Sequence, residues 1–524
     1  MFQRTALWCT LMFFLLTSFD AGMSAAPVKK KDQKNAATTK LDAMFKKAIA
    51  DFNVPGMAVA IVKDGKTIFS KGYGVKHAVT KEKVDDHTLF AIASNTKAFT
   101  SAALAMLVDA GKLKWTDKVR DYLPYFKLYS PYVTDEMTIA DLLCHRSGLA
   151  TFSGDLLWYG TIHSREEVIR RARFLEPIMG FREGYGYSNI MFLAAGEIVA
   201  KVSGVSWDAF IKQKFFVPLG MSSSTTSIRE FRSDGNIATP HNEVNGVNIP
   251  IEWVNWDNIG PAGSINSCVS DMTWWLQLQL GHGTLGEQNF WNEARTWEMW
   301  ENMTPRPVSK WQMDHMPTRH FNGYGLGWEL MEYEGYKVVS HGGGYDGMIS
   351  KTVLVPELNL GFVILTNNIS SLPSCLTFEV LDEMLGVKEQ QDWLAMFLQF
   401  KKDDEVGVKR AEVDDEANRV RTSKPSLALD DYCGTYHCEM YGDVVISHEE
   451  KENLKIDFKP TALFKGTLIH WHFDTFQLSW STQMMLPKGK ASFVVGADGK
   501  VSELKVVVEN PDFDFTELKL MKKS

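Results

Sequence analysis

Ser94-Asn95-Thr96-Lys97 sets a hydroxyl and an amine three residues apart, just ahead of the helical run AFTSAALAMLVDAGKL. Residues i and i+3 of a helix share a face, and the positive end of the helix dipole favours a developing alkoxide at the serine. A buried Lys97 would have its pKa depressed, which lets it accept or relay the Ser94 proton. The pair is weak evidence alone, because it recurs at Ser502-Glu503-Leu504-Lys505. There the surroundings read as a strand, where i and i+3 point to opposite faces and the lysine cannot serve the hydroxyl. Serine is also a preferred helix N-cap, so capping is the simpler use of Ser94.

Two further signals supply what a serine nucleophile needs. Tyr187-Ser188-Asn189 follows the turn Gly184-Tyr185-Gly186 and leads into the helical run MFLAAGEIVAKVSG. A phenol there could act as base towards the nucleophile and acid towards the leaving group. His341-Gly342-Gly343-Gly344 follows a strand-like run at 337–340, and its glycines permit close backbone approach to a ligand. An N–H from this segment, with that of Ser94, could form an oxyanion hole. His145 has no catalytic partner in the sequence and is expected to bond backbone in a loop. Asp346 reads the same way, although its carboxylate could instead meet a substrate amine. The aromatic stretches 152–159 and 253–256 read as packing rather than pocket lining.

Ser-x-x-Lys, then Tyr-x-Asn, then His-Gly-Gly after a late strand resembles the serine β-lactamase and penicillin-binding-protein superfamily, in particular its class C-like branch of esterases and D-amino-acid peptidases. The stretches Leu142-Leu143-Cys144-His145-Arg146-Ser147-Gly148-Leu149 and Tyr324-Gly325-Leu326-Gly327-Trp328 resemble it as well. The resemblance covers residues 41–385. It implies catalytic roles for Ser94, Lys97, Tyr187 and His341, with Ser94 acylated and Lys97 and Tyr187 moving protons in an order it leaves open. Asn189 would bond Lys97 or a substrate amide, and Gly343 and Gly344 would bind substrate, the Gly344 N–H completing the oxyanion hole. No metal and no organic cofactor are implied. The departure from the pattern is His341, where β-lactamases and D-alanyl-D-alanine peptidases carry a lysine. A neutral imidazole supplies no cation for a substrate carboxylate, so the expected substrates shift towards esters, amides or peptides read from the amino end. β-Lactamase or carboxypeptidase action, and a catalytically silent binding protein on the same fold, are the rivals.

The elements that must position these residues are legible in outline. Leu41, Met44, Phe45, Ala48, Ile49 and Phe52 repeat at helical spacing. Strands follow at 57–62 and 67–70 around an Asp64-Gly65 turn. Further β-rich runs lie at 337–340, 350–355 and 361–366, with short helices between. Strands at both ends of a helical middle suggest an α+β fold, with one antiparallel sheet assembled from the two chain ends beside a helical lobe. Residues 386–424 read as a charged helical linker. Six or more short β runs beyond residue 431 imply a small barrel-like β domain over 425–524, which resembles the lipocalin-like domain attached to some of these hydrolases. It is a candidate surface for a homo-oligomer.

At 524 residues, 45% apolar, the chain is an ordinary globular protein long enough for a large core. Its net charge of −8 lacks the basic surplus that nucleic-acid binding requires. Arg4, an apolar run at 6–19 and small residues at Gly22, Ser24, Ala25 and Ala26 read as a cleavable secretory signal over residues 1–26. The run is too short for a membrane span, which needs about 20 apolar residues. The expected location is secreted or periplasmic. Cys433 and Cys438 look paired, but in one strand their Cα atoms would be about 16 Å apart, beyond disulfide reach.

Overall fold

The computed structural model describes residues 30–450, 452–481 and 486–523; the signal expected over residues 1–26 lies outside them. Helix α1 (Lys30–Asp51) buries the stripe Leu41, Phe45, Ala48 and Phe52, the helical period expected from sequence. Strands β1 (Gly56–Lys63) and β2 (Lys66–Gly74) follow. The turn between them needs left-handed backbone, and Asp64 (φ 53°) with Gly65 (φ 68°) supplies it.

Helices α2 (Thr96–Asp109) and α3 (Asn189–Ser203) pack on each other in the helical lobe, and α4 (Val269–Leu280) lies on the sheet. The sheet is completed from the later chain by β3 (Thr304–Arg306), β4 (Asn322–Tyr324), β5 (Glu329–Tyr333), β6 (Tyr336–Tyr345), β7 (Met348–Val355) and β8 (Leu360–Thr366). Its order is β2-β1-β8-β7-β6-β5-β4-β3, antiparallel throughout. The α+β sheet built from both chain ends is therefore present, extended by three edge strands that the residue pattern did not mark. Two of these are three residues long, and β3 contains Pro305.

Helices cover both faces of the sheet, so β1 is buried on both. Ala58, Ala60 and Val62 join the core of the helical lobe, whereas Met57, Val59 and Ile61 join a second core with α1 and helix α5 (Leu372–Leu385). Helix α6 (Trp393–Ala417) then carries the charged run, with Trp393 its one fully buried residue. The chain ends in a closed, antiparallel eight-stranded barrel: β9 (Gly434–Cys438), β10 (Gly442–Glu450), β11 (Asn453–Phe458), β12 (Lys465–His472), β13 (Thr475–Trp480), β14 (Gly489–Val495), β15 (Val501–Val508) and β16 (Leu520–Lys522). Closure leaves no free sheet edge. Cys433 and Cys438 are separate thiols at the start of this barrel.

The barrel packs on the helical lobe. Ile162 N donates to the Pro460 carbonyl (2.9 Å), Arg171 to the Met440 carbonyl (2.7 Å), and Gly154 N to Glu517 (2.9 Å). Phe464 stacks on Tyr159 at 5.7 Å and, inside the barrel, touches Phe458, Trp480 and Phe515. Truncating this fully buried ring leaves a cavity shared by both units. Phe464→Ala is expected to cost about 3–5 kcal/mol of unfolding free energy in denaturant titration, and to loosen the barrel from the lobe in limited proteolysis.

Candidate active site

Ser94 sits in a 3-10 turn (Ala93–Asn95) that runs directly into α2. Ala93 is held at φ 45°, an unfavourable conformation for a non-glycine residue, and this bend presents Ser94 to a cavity. Asn95 occupies the N-cap position of α2 and no side chain caps it, so capping is not the use made of Ser94.

Lys97 is fully buried. Its Nζ lies 3.1 Å from Ser94 Oγ, 2.7 Å from Asn189 Oδ1 and 2.9 Å from the Ala262 carbonyl. Burial pushes its pKa well below the ordinary lysine value, with the charge of Asp155 opposing. A neutral amine has two N–H groups and one lone pair. Asn189 and Ala262 offer acceptors only, so they take the two hydrogens and the lone pair faces the Ser94 hydroxyl. This arrangement can remove a proton from Ser94.

Asn189 donates its other end to Asp155 Oδ2 (2.6 Å). Its amide thus holds Lys97 at one end and Asp155 at the other, and it keeps one N–H and one lone pair on the wall of the cavity. Asp155 also accepts from Trp158 Nε1 (2.8 Å), and burial raises its pKa to about 8. The Tyr187 ring lies 4.6 Å from Lys97 Nζ. Burial raises the phenol well above its ordinary pKa, against a lowering hydrogen bond with Ser94, so it remains an O–H donor at neutral pH. His145 packs on Tyr187 at 4.1 Å and its Nδ1 accepts from Ser188 N (3.0 Å), the backbone bond expected of it.

His341 departs from the catalytic role expected for it. Its Nδ1 lies 2.6 Å from the Gly342 carbonyl, which only accepts, so Nδ1 carries the hydrogen. Its Nε2 accepts from the Tyr324 hydroxyl (2.7 Å). Both nitrogens are committed to protein groups, and burial lowers the pKa to about 4. Burial thus favours the neutral imidazole, and both ring nitrogens are hydrogen-bonded within the protein. It is a positioning residue at the end of the site.

Gly343, expected to bind substrate, is not among the residues lining the cavity. The pairing of β5 with β6 ends at Ser340, leaving residues 341–345 as an open strand edge. Along it Gly344 lines the cavity with Ser94, whereas Gly343 turns inward. A Cβ on Gly343 would sit 2.2 Å from the Ile92 carbonyl, 2.4 Å from Ser350 Oγ and 3.0 Å from Ser94 N. Its missing side chain lets β6 approach the Ser94 turn.

The cavity, about 810 Å³, is lined by more than the motifs announced. Phe152, Trp158, Tyr159 and Trp256 line it, so the two aromatic stretches do form pocket wall. Asp155, Glu329 and Arg306 also line it and were missed because no motif contains them. Burial pushes Glu329 upward, but Lys351 at 2.9 Å outweighs it and holds the carboxylate ionised. Ser502, by contrast, is the extra residue of a β-bulge. The bulge turns both Ser502 and Lys505 outward, correcting the opposite-face expectation, yet Ser502 Oγ donates to the Val494 carbonyl and Lys505 faces Glu503.

Known families match both units of the chain. A model described as Beta-lactamase matches residues 41–373, and one described as Domain of unknown function (DUF3471) matches residues 418–522. The chain is 27% identical to "Unguisins hydrolase ungD'" of Aspergillus campestris, across 89% of this chain and 88% of that protein. It is 26% identical to "Protein flp" of Staphylococcus aureus across 70% of each. Among solved structures, the octameric penicillin-binding protein homologue from Pyrococcus abyssi superposes with a TM-score of 0.59 at 21% identity, covering 93% of this chain and all of that one. A class C beta-lactamase gives 0.54 at 19% identity, covering 70% of this chain and 99% of the other.

Gly343→Ala tests the close approach of β6. Overpacking of this kind costs about 1–3 kcal/mol, and Ser94 N is among the atoms that must shift. The expected result is a folded, less stable variant whose Ser94 reacts at least about tenfold more slowly with a fluorophosphonate. Gly344→Ala, which meets only Ile349 at 3.7 Å, should retain wild-type stability.

Proposed function

This chain belongs to the beta-lactamase family of serine hydrolases, and from that premise we propose that it hydrolyses esters, amides or peptide bonds through an acyl-enzyme on Ser94. The observation that carries the proposal is the buried Lys97 amine, 3.1 Å from Ser94 Oγ with its other two contacts on carbonyl oxygens.

In this reading neutral Lys97 takes the Ser94 proton as Oγ attacks the substrate carbonyl carbon. The tetrahedral oxyanion is held by the N–H groups of Ser94 and Gly344. Tyr187 gives its phenolic proton to the leaving oxygen or nitrogen, and the Lys97 ammonium restores it. Water then attacks the acyl carbon by the reverse relay, freeing the acid and returning Ser94 to its hydroxyl. No metal or cofactor enters these steps. The names of the relatives support hydrolysis, and the leader-like residues 1–26 support action outside the cytoplasm.

One observation favours β-lactamase or carboxypeptidase action as the second reading. Arg306 lines the cavity beside neutral His341, with its guanidinium over the Tyr185 ring at 4.4 Å. It could meet a substrate carboxylate in place of the family's lysine.

A panel of p-nitrophenyl butyrate, D- and L-aminoacyl p-nitroanilides and nitrocefin tests both. Ester or anilide turnover is expected to exceed nitrocefin turnover. Ser94→Ala should lower kcat/KM by about 10⁴-fold or more and abolish fluorophosphonate labelling, while Ser502→Ala leaves both intact. Turnover and labelling that survive in Ser94→Ala would refute the assignment. With Lys97 as base, the labelling rate should rise with pH as Lys97 loses its proton, well below the pH expected of an exposed lysine.

A further inference from the structure

We propose that the catalytic cavity contains a cation-recognising subsite, built from Asp346 of the hydrolase unit and Asp512 of the barrel, that takes a protonated amine carried by the substrate. The proposal rests on the acyl-enzyme reading above and adds a substrate class to it.

Asp346 lies in the tight turn between β6 and β7, five residues after His341, and lines the cavity. Its Oδ1 accepts from the Tyr159 hydroxyl (2.9 Å). Its Oδ2 is buried and has no hydrogen-bond partner among the described residues. A carboxylate oxygen removed from water without a partner costs free energy that the fold does not recover. A ligand N–H placed in the cavity would satisfy it.

Asp512 reaches the same cavity from the segment between β15 and β16, together with Asn510 and Phe513. Asp512 bears electrostatically on both Asp346 and Asp155, in each case as a like charge that raises the pKa. Among the described residues no lysine or arginine offsets the charge of Asp346 or Asp512. The one cationic side chain among the described lining residues is Arg306, which lies 3.9 Å from Glu329. Burial, with Asp512 adding to it, raises the Asp346 pKa to about 7, so this carboxyl takes up a proton more readily than an exposed one.

Aromatic rings complete the chemistry. Trp158 and Trp256 meet edge to face at 5.0 Å, while Trp256 and Tyr345 (4.7 Å) and Tyr159 and Phe513 (4.5 Å) pack as tilted pairs, all on the cavity wall. Ring faces beside carboxylates attract alkylammonium ions over neutral groups of the same shape. Because Asp512 and Phe513 come from the barrel, the C-terminal unit contributes directly to substrate choice.

The test is binding of n-hexylammonium and of 1-hexanol to the full-length protein, by calorimetry at pH 8 and by inhibition of p-nitrophenyl butyrate hydrolysis. The ammonium ion is expected to bind at least about tenfold more tightly than the alcohol and to inhibit competitively. Asp346→Asn and Asp512→Asn, each verified as folded by thermal melting, should each weaken ammonium binding at least about fivefold and leave hexanol binding alone. Equal affinity for ammonium and alcohol in the wild type, or unchanged ammonium binding in both variants, overturns the subsite. A wild type that neither hydrolyses the butyrate nor accepts a fluorophosphonate removes the acyl-enzyme reading instead. Calorimetry decides the subsite in that case too, since it requires no turnover.

Discussion

The structure depends on keeping one amine out of water. Lys97 is buried without a carboxylate in direct contact, its three neighbours being Ser94 Oγ, Asn189 Oδ1 and the Ala262 carbonyl. An ammonium in such a place is costly, whereas a neutral amine is cheap and basic. The nearest carboxylate, Asp155, is one residue removed through Asn189, and burial moves it towards its neutral form as well. Had Asp155 touched Lys97 directly, an ion pair would have held the amine protonated and useless as a base. The interposed asparagine orients the amine without charging it.

That separation has to be built from distant parts of the chain. Lys97 comes from α2, Asn189 from the first turn of α3, and Asp155 from a 3-10 turn just after Gly154 (φ 80°). The Asp155 turn is pinned from the barrel, where Glu517 accepts from both Ser153 and Gly154 N. The C-terminal unit thus reaches Lys97 through three successive contacts: Glu517 to Gly154, Asp155 to Asn189, and Asn189 to Lys97. On the other side, β6 closes on Ser94 only because Gly343 has no side chain. The nucleophile is held between a helix start and a strand edge, and both contacts are sensitive to displacements of less than an ångström.

What was legible in the sequence was what is local. The stripe from Leu41 to Phe52, the Asp64-Gly65 turn and the alternating runs of the barrel each express one period of one element, so their elements could be read directly. Ser94 and Lys97 were legible because a helix start joins them. Asp155 and Asp512 were not, since they act on Asn189 and Asp346, 34 and 166 positions away, and no spacing announces either. The role of His341 misled for a related reason. Its type suggested an acid or base, but Tyr324 Oη and the Gly342 carbonyl occupy both ring nitrogens, a fact of packing and not of residue identity. The edge strands β3 and β4 escaped because three residues are too few to show alternation.

The placement of charge around Ser94 then follows a single logic. Groups that change protonation in the proposed reaction, Lys97 and Tyr187, lie where burial favours their neutral forms. Charge that must not change is locked away from them, as Glu329 is by Lys351. His341, whose charged form burial disfavours, is held by Tyr324 and the Gly342 carbonyl. A lysine at that position would put a permanent cation beside Lys97 and lower its pKa further. Replacing it by a neutral ring bonded to Tyr324 lets Lys97 keep more basicity, at the expense of a fixed anchor for a substrate anion. What remains to hold a substrate by charge is carboxylate at one part of the wall, Asp346 and Asp512, and a single guanidinium, Arg306, at another. The electrostatic preference of the cavity is therefore set by residues that take no part in bond making, and the barrel supplies one of them.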